Sequence, residues 1–237
     1  MGAVDKLIAV ASNEVGYLEK KNGNLLYEKT ANAGKGDYTK YGYEMHKLYP
    51  ATMDFPAAWC DCFVDWCFVQ AFGKDIAMKM LHKFDDYTVN SASYYKNHKE
   101  WYKSPKVGDQ IFFVNSSGGI CHTGIVYALD SYNVYTIEGN TSSEKGVVAN
   151  GGCVRKKAYK RNYDRIAGYG RPDYSLVKEE KKMLETGNDI IWELMNGKYK
   201  IKINEVDRAV VALDKAKNNQ EFMSLYWILH KLVNGNG

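Results

Sequence analysis

The 237-residue sequence has no apolar run long enough to cross a bilayer. Its first residues lack the basic segment followed by an apolar run that marks a classical signal peptide. A myristoylation signal would need Ser or Thr at position 6, where Lys6 stands. We therefore expect a protein without a membrane partner, made in a cytoplasm without a signal peptide.

The cysteines do not form a disulfide or zinc pattern. Their number is five, which excludes a full disulfide framework, and no C-x-x-C pair is present. Cys60, Cys62 and Cys67 share one predicted helix, where their spacing spreads the sulfur atoms over different faces. The segment around Asp37 lacks the alternating acidic ligands of a calcium loop. We expect reduced thiols, no metal site and no cofactor.

The charge is only mildly basic, with a formal net charge of +4 and interspersed Lys and Glu. Such a distribution does not indicate a nucleic-acid partner. Nineteen Tyr and five Trp provide more aromatic surface than a minimal core needs, and these side chains suit sugar or peptide grooves. Trp59 and Tyr41 are our candidate substrate-binding residues.

The order of the predicted elements indicates an α+β domain, with helices first and an antiparallel sheet second. The periodicity predicts helices over 3–18, 59–72, 74–82 and 91–97, and a long loop region over 19–56. It predicts strands over 110–114, 120–129, 132–138, 152–158 and 165–170. A loop region as long as 19–56 inside a compact domain is usually functional.

The chain is organised around the predicted helix that follows Pro56. One face of this helix carries an apolar stripe at helical spacing, namely Cys60, Phe63, Val64, Cys67, Phe68 and Ala71. Cys60 therefore lies in the first turn, where free backbone N–H groups favour a thiolate and are expected to lower its pKa. The same N–H groups can stabilise an oxyanion. The alternative interpretation is that Cys60 is a small apolar residue of the core.

Two predicted strands bring a second set of chemical groups together. His122 shares a strand face with Gly124, and Glu138 and Asn140 lie two apart on the next strand. A tight turn at 130–131 joins the strands, so His122 and Glu138 are expected to be neighbours. A carboxylate or amide beside an imidazole can fix its tautomer. With Cys60, these residues would supply a nucleophile, a base and a group that orients the base.

Five segments of the chain together resemble a CHAP domain, a papain-like cysteine, histidine-dependent amidohydrolase/peptidase that cuts bacterial peptidoglycan. The segments are Trp59-Cys60-x-x-Phe63-Val64-x-Trp66, Val107-Gly108-Asp109, His122-x-Gly124-Ile125-Val126, Glu138-Gly139-Asn140 and Ala167-Gly168-Tyr169-Gly170-Arg171-Pro172. The resemblance covers 1–172 and implies Cys60 as nucleophile, His122 as base, and Glu138 and Asn140 as orienting residues. Thr123 departs from the small apolar residue usual after the histidine.

The resemblance is nearest to the catalytic halves of endolysins from phages or prophages of Gram-positive hosts. It implies that the protein acts on the cell wall after release from the host cytoplasm, as an N-acetylmuramoyl-L-alanine amidase or an endopeptidase. Two other classes stay open, namely a non-catalytic wall-binding protein and a cysteine protease or acyltransferase that acts on proteins.

The C-terminal part reads as a linker over 173–187 and a small three-helix domain over 188–237. A domain of this size would bind the cell wall or associate with copies of itself. Met183 follows Lys178-Glu179-Glu180-Lys181-Lys182, whose codons can spell a ribosome-binding sequence, so Met183 is either an internal translation start or an ordinary linker residue.

Overall fold

The computed structural model of the protein describes residues 2–177, which fall almost wholly within one compact unit, Met1–Tyr174. The predicted three-helix domain 188–237 and Met183 lie outside the described residues, as does most of the predicted linker 173–187. None of the described helices is long and apolar enough to span a membrane.

The described residues form five helices followed by six strands. The helices are α1 (Ala3–Asn13), α2 (Lys40–Leu48), α3 (Cys60–Phe72), α4 (Lys74–Leu81) and α5 (Thr88–Asn97). The strands are β1 (Trp101–Tyr102), β2 (Gln110–Val114), β3 (Ile120–Leu129), β4 (Asn133–Thr141), β5 (Cys153–Lys160) and β6 (Ile166–Gly170). They pair antiparallel in one sheet of order β1-β6-β2-β3-β4-β5, which confirms the predicted class of helices and an antiparallel sheet.

The main difference from the sequence prediction is α2, which lies inside the predicted loop region. Thr39 caps this helix by accepting a hydrogen bond from the Gly42 amide at 3.0 Å. Gly42 lowers the intrinsic helix propensity, but a Cβ there would lie 3.0 Å from Phe55 Cδ2. The close approach of Phe55 therefore explains why a glycine stands at this position of the helix.

Helix α3 is buried on every side rather than along the predicted single stripe. Eleven of its residues are buried, including Asp61 and Asp65, which a one-sided helix would expose to solvent. The helix contacts α1, α2, α4 and α5 as well as β3 and β4. It is therefore the centre of the described domain, and its N-terminus is held by contacts from several elements.

The β3–β4 hairpin determines where the polar side chains of the sheet meet. Its register pairs Ile125 with Ile137 and Val126 with Thr136. A Cβ on Gly124 would lie 2.6 Å from Glu138 Cγ, so the missing side chain leaves the space that Glu138 fills. The β4–β5 ladder shifts register between Glu138 and Thr141, which places a bulge at the end of β4.

Candidate active site

Cys60 is the first residue of α3. The first helical hydrogen bond runs from the Phe63 amide to the Trp59 carbonyl at 2.9 Å, so the amides of residues 60–62 precede the regular bonding of the helix. A Cβ on Gly139 would lie 2.6 Å from Phe63 Cβ, which shows how closely α3 packs on the bulge of β4. The fold thus brings the amino end of α3 against the end of the β3–β4 hairpin.

The surroundings of the Cys60 thiol raise its pKa, contrary to the sequence prediction. Cys60 is 5% exposed, and this burial, with a smaller effect from the Asp61 carboxylate, disfavours the thiolate. Hydrogen bonds from the backbone amides of Asp61 and Thr123 act in the opposite direction without overcoming burial. The sequence argument counted the helix amides and omitted desolvation, so it predicted the wrong direction. Cys60 therefore rests as a thiol that needs a base.

His122 and Glu138 form a fully buried pair. His122 Nε2 lies 3.0 Å from Glu138 Oε2, which confirms that the two residues are neighbours across the hairpin. Glu138 also accepts hydrogen bonds from Thr136 Oγ1 at 2.5 Å and from the Tyr159 hydroxyl at 3.2 Å. Burial and the Glu138 charge raise the pKa of Tyr159, so this hydroxyl acts as a donor.

The hydrogen bond to Glu138 determines the tautomer of His122. An acceptor-only carboxylate at Nε2 requires that this nitrogen carry the proton, which leaves a lone pair on Nδ1. Nδ1 is buried and has no hydrogen-bond partner within residues 2–177. His122 is followed directly by Thr123, whose backbone amide acts on the Cys60 thiol and lowers its pKa. His122 therefore keeps one basic nitrogen free to accept a proton, and this nitrogen makes no hydrogen bond with Cys60 Sγ in the structure.

Asn140 is buried, but it makes no hydrogen bond with His122. Asn140 has a left-handed φ of 51° at the β4 bulge, so the simple alternation that placed it beside Glu138 fails. Its Oδ1 accepts a hydrogen bond from the Gly152 amide at 3.2 Å. Its Nδ2 is buried without a partner in the described part of the chain. The Asn140 side chain thus connects the β4 bulge to Gly152, the residue before β5. Its Nδ2 group remains a donor without a partner in the described part of the chain.

The two aromatic residues predicted to contact substrate lie in the core instead. Tyr41 is fully buried and Trp59 is 1% exposed, so neither ring offers a face to a ligand. Tyr41 stacks on Trp59 with 5.5 Å between the ring centroids, and its hydroxyl donates to Glu14 Oε2 at 2.7 Å. The indole N–H of Trp59 donates to Glu19 Oε2 at 3.0 Å. Their observed role is to pack the segment before Cys60, which corrects the prediction.

A cavity of about 560 Å³ lies next to the residues that contact Trp59 and Asn140. Its walls include Glu19, which holds the Trp59 indole, and Gly152, which holds Asn140. Lys35 and Asp37 line it from the 19–56 region, in which sequence length alone had suggested a function. Burial and the charge of Asp37 raise the pKa of Glu19. The cavity is therefore lined by charged side chains and backbone polar groups. It lies one contact away from Trp59, which precedes Cys60, and one contact away from Asn140.

Within residues 2–177, no group of three or more His, Cys, Asp or Glu side chains could hold a metal ion.

Sequence reasoning missed two residues that complete the carboxylate's surroundings, Thr136 and Tyr159. Thr136 shares the face of Glu138 because it lies two residues earlier on β4, and this spacing could have revealed it. Tyr159 reaches Glu138 from β5, and only the strand order brings it there.

A family model matches part of the sequence. Residues 51–140 match the CHAP domain, and this segment contains Cys60, His122, Glu138 and Asn140. A CHAP domain suggests a cysteine- and histidine-dependent amidohydrolase or peptidase, often one that acts on peptidoglycan. No curated protein matches the chain.

Proposed function

We propose that the protein is a peptidoglycan hydrolase that cleaves an amide bond with Cys60 as nucleophile and His122 as base. The observation that carries the proposal is the state of His122. Glu138 lies at hydrogen-bond distance from Nε2, while Nδ1 is buried and has no partner among the described residues. The next residue, Thr123, has a backbone amide that lowers the pKa of the Cys60 thiol, which relates the histidine strand to the candidate nucleophile. A structural histidine would be expected to satisfy both nitrogens when buried.

In the first half of the reaction, Cys60 Sγ attacks the carbonyl carbon of the amide while its proton passes to His122 Nδ1. This transfer suits a thiol whose pKa is raised by burial, because the proton leaves as the sulfur–carbon bond forms. The amides of the first turn of α3 stabilise the oxyanion. Collapse breaks the carbon–nitrogen bond, and the imidazolium donates its proton to the departing amine.

In the second half, His122 Nδ1 takes a proton from water, and the resulting hydroxide attacks the thioester. The carbon–sulfur bond breaks, the product leaves as a carboxylic acid and the proton returns to Cys60. Glu138 keeps the imidazole oriented and stabilises its charged form in both halves. Asn140 supports this arrangement by fixing the β4 bulge through Gly152.

The CHAP match and the cavity support a polymeric wall substrate. A cavity of about 560 Å³ with charged walls is large enough to admit a peptide stem, and two of its lining residues, Glu19 and Gly152, contact Trp59 and Asn140. We infer an endolysin of a phage or prophage of a Gram-positive host, released onto the wall from the cytoplasm. The scissile bond is the N-acetylmuramoyl-L-alanine amide or a bond within the stem or cross-bridge.

Digestion of purified walls tests the proposal. Wild-type protein should release fragments whose new termini, identified by mass spectrometry, name the bond that is cut. Cys60→Ala should abolish this release. Cys62→Ala is the matched control, since Cys62 lies two residues further on the same helix and is 3% exposed. Wall digestion that survives Cys60→Ala would refute the assignment of the nucleophile.

A further inference from the structure

Three buried polar side chains from three elements form a connected chain of hydrogen bonds next to the site. Asp61 of α3 and Thr123 of β3 are fully buried, and Gln110 of β2 is 1% exposed. Gln110 Nε2 donates to Asp61 Oδ1 at 2.9 Å and to Thr123 Oγ1 at 3.1 Å. We call this set the Asp61–Gln110–Thr123 bridge.

The direction of each hydrogen bond in the bridge is fixed. The Thr123 hydroxyl donates to the Ile111 carbonyl at 2.7 Å, so its oxygen can only accept from Gln110. The Gln110 amide has two hydrogens, one for Thr123 and one for Asp61. The other Asp61 oxygen accepts from Ser91 Oγ at 2.6 Å. A single side chain, Gln110, therefore joins the two ends of the bridge.

The ends of the bridge are the chain neighbours of the candidate nucleophile and base. Asp61 follows Cys60, and Thr123 follows His122. The backbone amides of Asp61 and Thr123 also both act on the Cys60 thiol, whose pKa they lower against the larger effect of burial. A shift of α3 against β3 would thus change both the bridge and the distance between sulfur and imidazole.

We propose that Asp61, Gln110 and Thr123 are positioning residues that hold Cys60 in register with His122 for the amide cleavage proposed above. The bridge does not touch the substrate and acts through the two backbone segments that it joins. Apolar side chains would fill the same space without the desolvation cost of burying three polar groups. Fixed geometry between nucleophile and base is the gain that offsets this cost, because a displacement of about 1 Å can lower a rate about 100-fold.

The matched variants Thr123→Val and Thr123→Ser test the proposal in the full chain. Valine keeps the volume and removes the hydroxyl, whereas serine keeps the hydroxyl. The rate of Cys60 alkylation by iodoacetamide at pH 7, resolved by peptide mass spectrometry, should fall about tenfold in Thr123→Val. It should stay within about twofold of wild type in Thr123→Ser. On purified walls, Thr123→Val should lower kcat with KM nearly unchanged.

Two controls separate positioning from loss of stability. Val134→Ala removes buried contacts at the far end of β4, away from the bridge, and should leave Cys60 alkylation at the wild-type rate. Cys62 and Cys67 are buried in the same helix, so their alkylation reports opening of the domain. Gln110→Leu removes both donors at similar volume and should reproduce the Thr123→Val effect while Cys62 and Cys67 stay unreactive.

The outcomes distinguish this proposal from the proposed function. Equal Cys60 alkylation in wild type and Thr123→Val, or an equal loss in Thr123→Val and Thr123→Ser, would overturn the positioning role. Failure of the wild type to cleave walls, with the ordering of the alkylation rates intact, would contradict the proposed substrate while supporting the bridge.

Discussion

Glu138 shows how one residue obtains its role from its contacts. Its carboxylate is fully buried and accepts hydrogen bonds from Thr136, Tyr159 and His122. These three donors compensate the burial of a negative charge. The bond between Glu138 and His122 also restricts the imidazole to one orientation and one tautomer. The imidazole then presents Nδ1 as the only nitrogen that can take a proton.

We predict that changes at Glu138 lower kcat rather than raise KM. Glu138→Gln replaces an acceptor-only group and should lower kcat on purified walls about 100-fold or more, because the tautomer is no longer fixed. Tyr159→Phe removes one of three donors and should lower kcat by about threefold to tenfold. Tyr163→Phe is the control, since its ring stacks on Tyr159 at 5.4 Å. A loss expressed mainly in KM would contradict an orienting role for Glu138.

At the scale of elements, the β3–β4 hairpin depends on a missing side chain. Glu138 Cγ occupies the space beside Gly124, where an added Cβ would lie 2.6 Å away. From this position beside Gly124, the Glu138 carboxylate contacts His122. The sheet register and the orientation of the base are therefore linked at one position.

Gly124→Ala should displace Glu138 and lower wall cleavage at least about tenfold, since a Cβ at that distance forces a shift in the strand or the carboxylate. Gly119→Ala is the control in the turn that precedes β3, because its Cβ would meet Asn115 no closer than 3.5 Å. Assays of cleavage and thermal unfolding should be run together. Wild-type activity in Gly124→Ala would refute the linkage.

Helix α3 carries two carboxylates into the core, and this makes the stability of the fold depend on pH. Burial raises the pKa of Asp61 to about 7, with Asp85 and Asp86 adding to the rise and Ser91 and Gln110 opposing it. Burial and the neighbouring carboxylates also raise the pKa of Asp65. The folded state therefore holds these protons more tightly than the unfolded chain does.

We predict that Asp61→Asn gains stability relative to wild type as the pH rises. The contribution of protonated Asp61 is fully present below about pH 4 and is lost as the pH approaches 7, whereas asparagine has no proton to lose. The difference in unfolding free energy should grow by up to about 4 kcal/mol between these limits. Urea denaturation at several pH values measures it, with the exposed Asp75→Asn as control. A difference that does not change with pH would contradict the burial effect.

At the scale of the whole molecule, the sequence predicted what depends on local pattern. Strand alternation predicted the observed bounds of β3 and the proximity of His122 and Glu138. Helical spacing predicted that Cys60 lies at the start of α3. Tertiary contacts decided the rest. Burial reversed the expected pKa shift of Cys60, and the bulge moved Asn140 out of the predicted alternation.

The aromatic residues illustrate the same limit. An excess of Tyr and Trp suggested a binding groove, but the contacts of Tyr41 and Trp59 with Glu14 and Glu19 place both rings in the core. Residue type alone does not distinguish a ligand contact from packing. The C-terminal helices, their wall binding and their self-association stay predictions, since they lie outside the described residues.

The central claim is that Cys60 becomes acylated during cleavage, and trapping that intermediate tests it most directly. Wild-type protein should be mixed with purified wall fragments, quenched in acid within milliseconds to seconds, digested and mapped by mass spectrometry. We expect an acyl group from the wall peptide on Cys60, removable by hydroxylamine as a thioester should be, and its absence in His122→Ala. Wall cleavage with an acyl group on another residue, or with acylation of Cys60 unaffected by His122→Ala, would contradict the account.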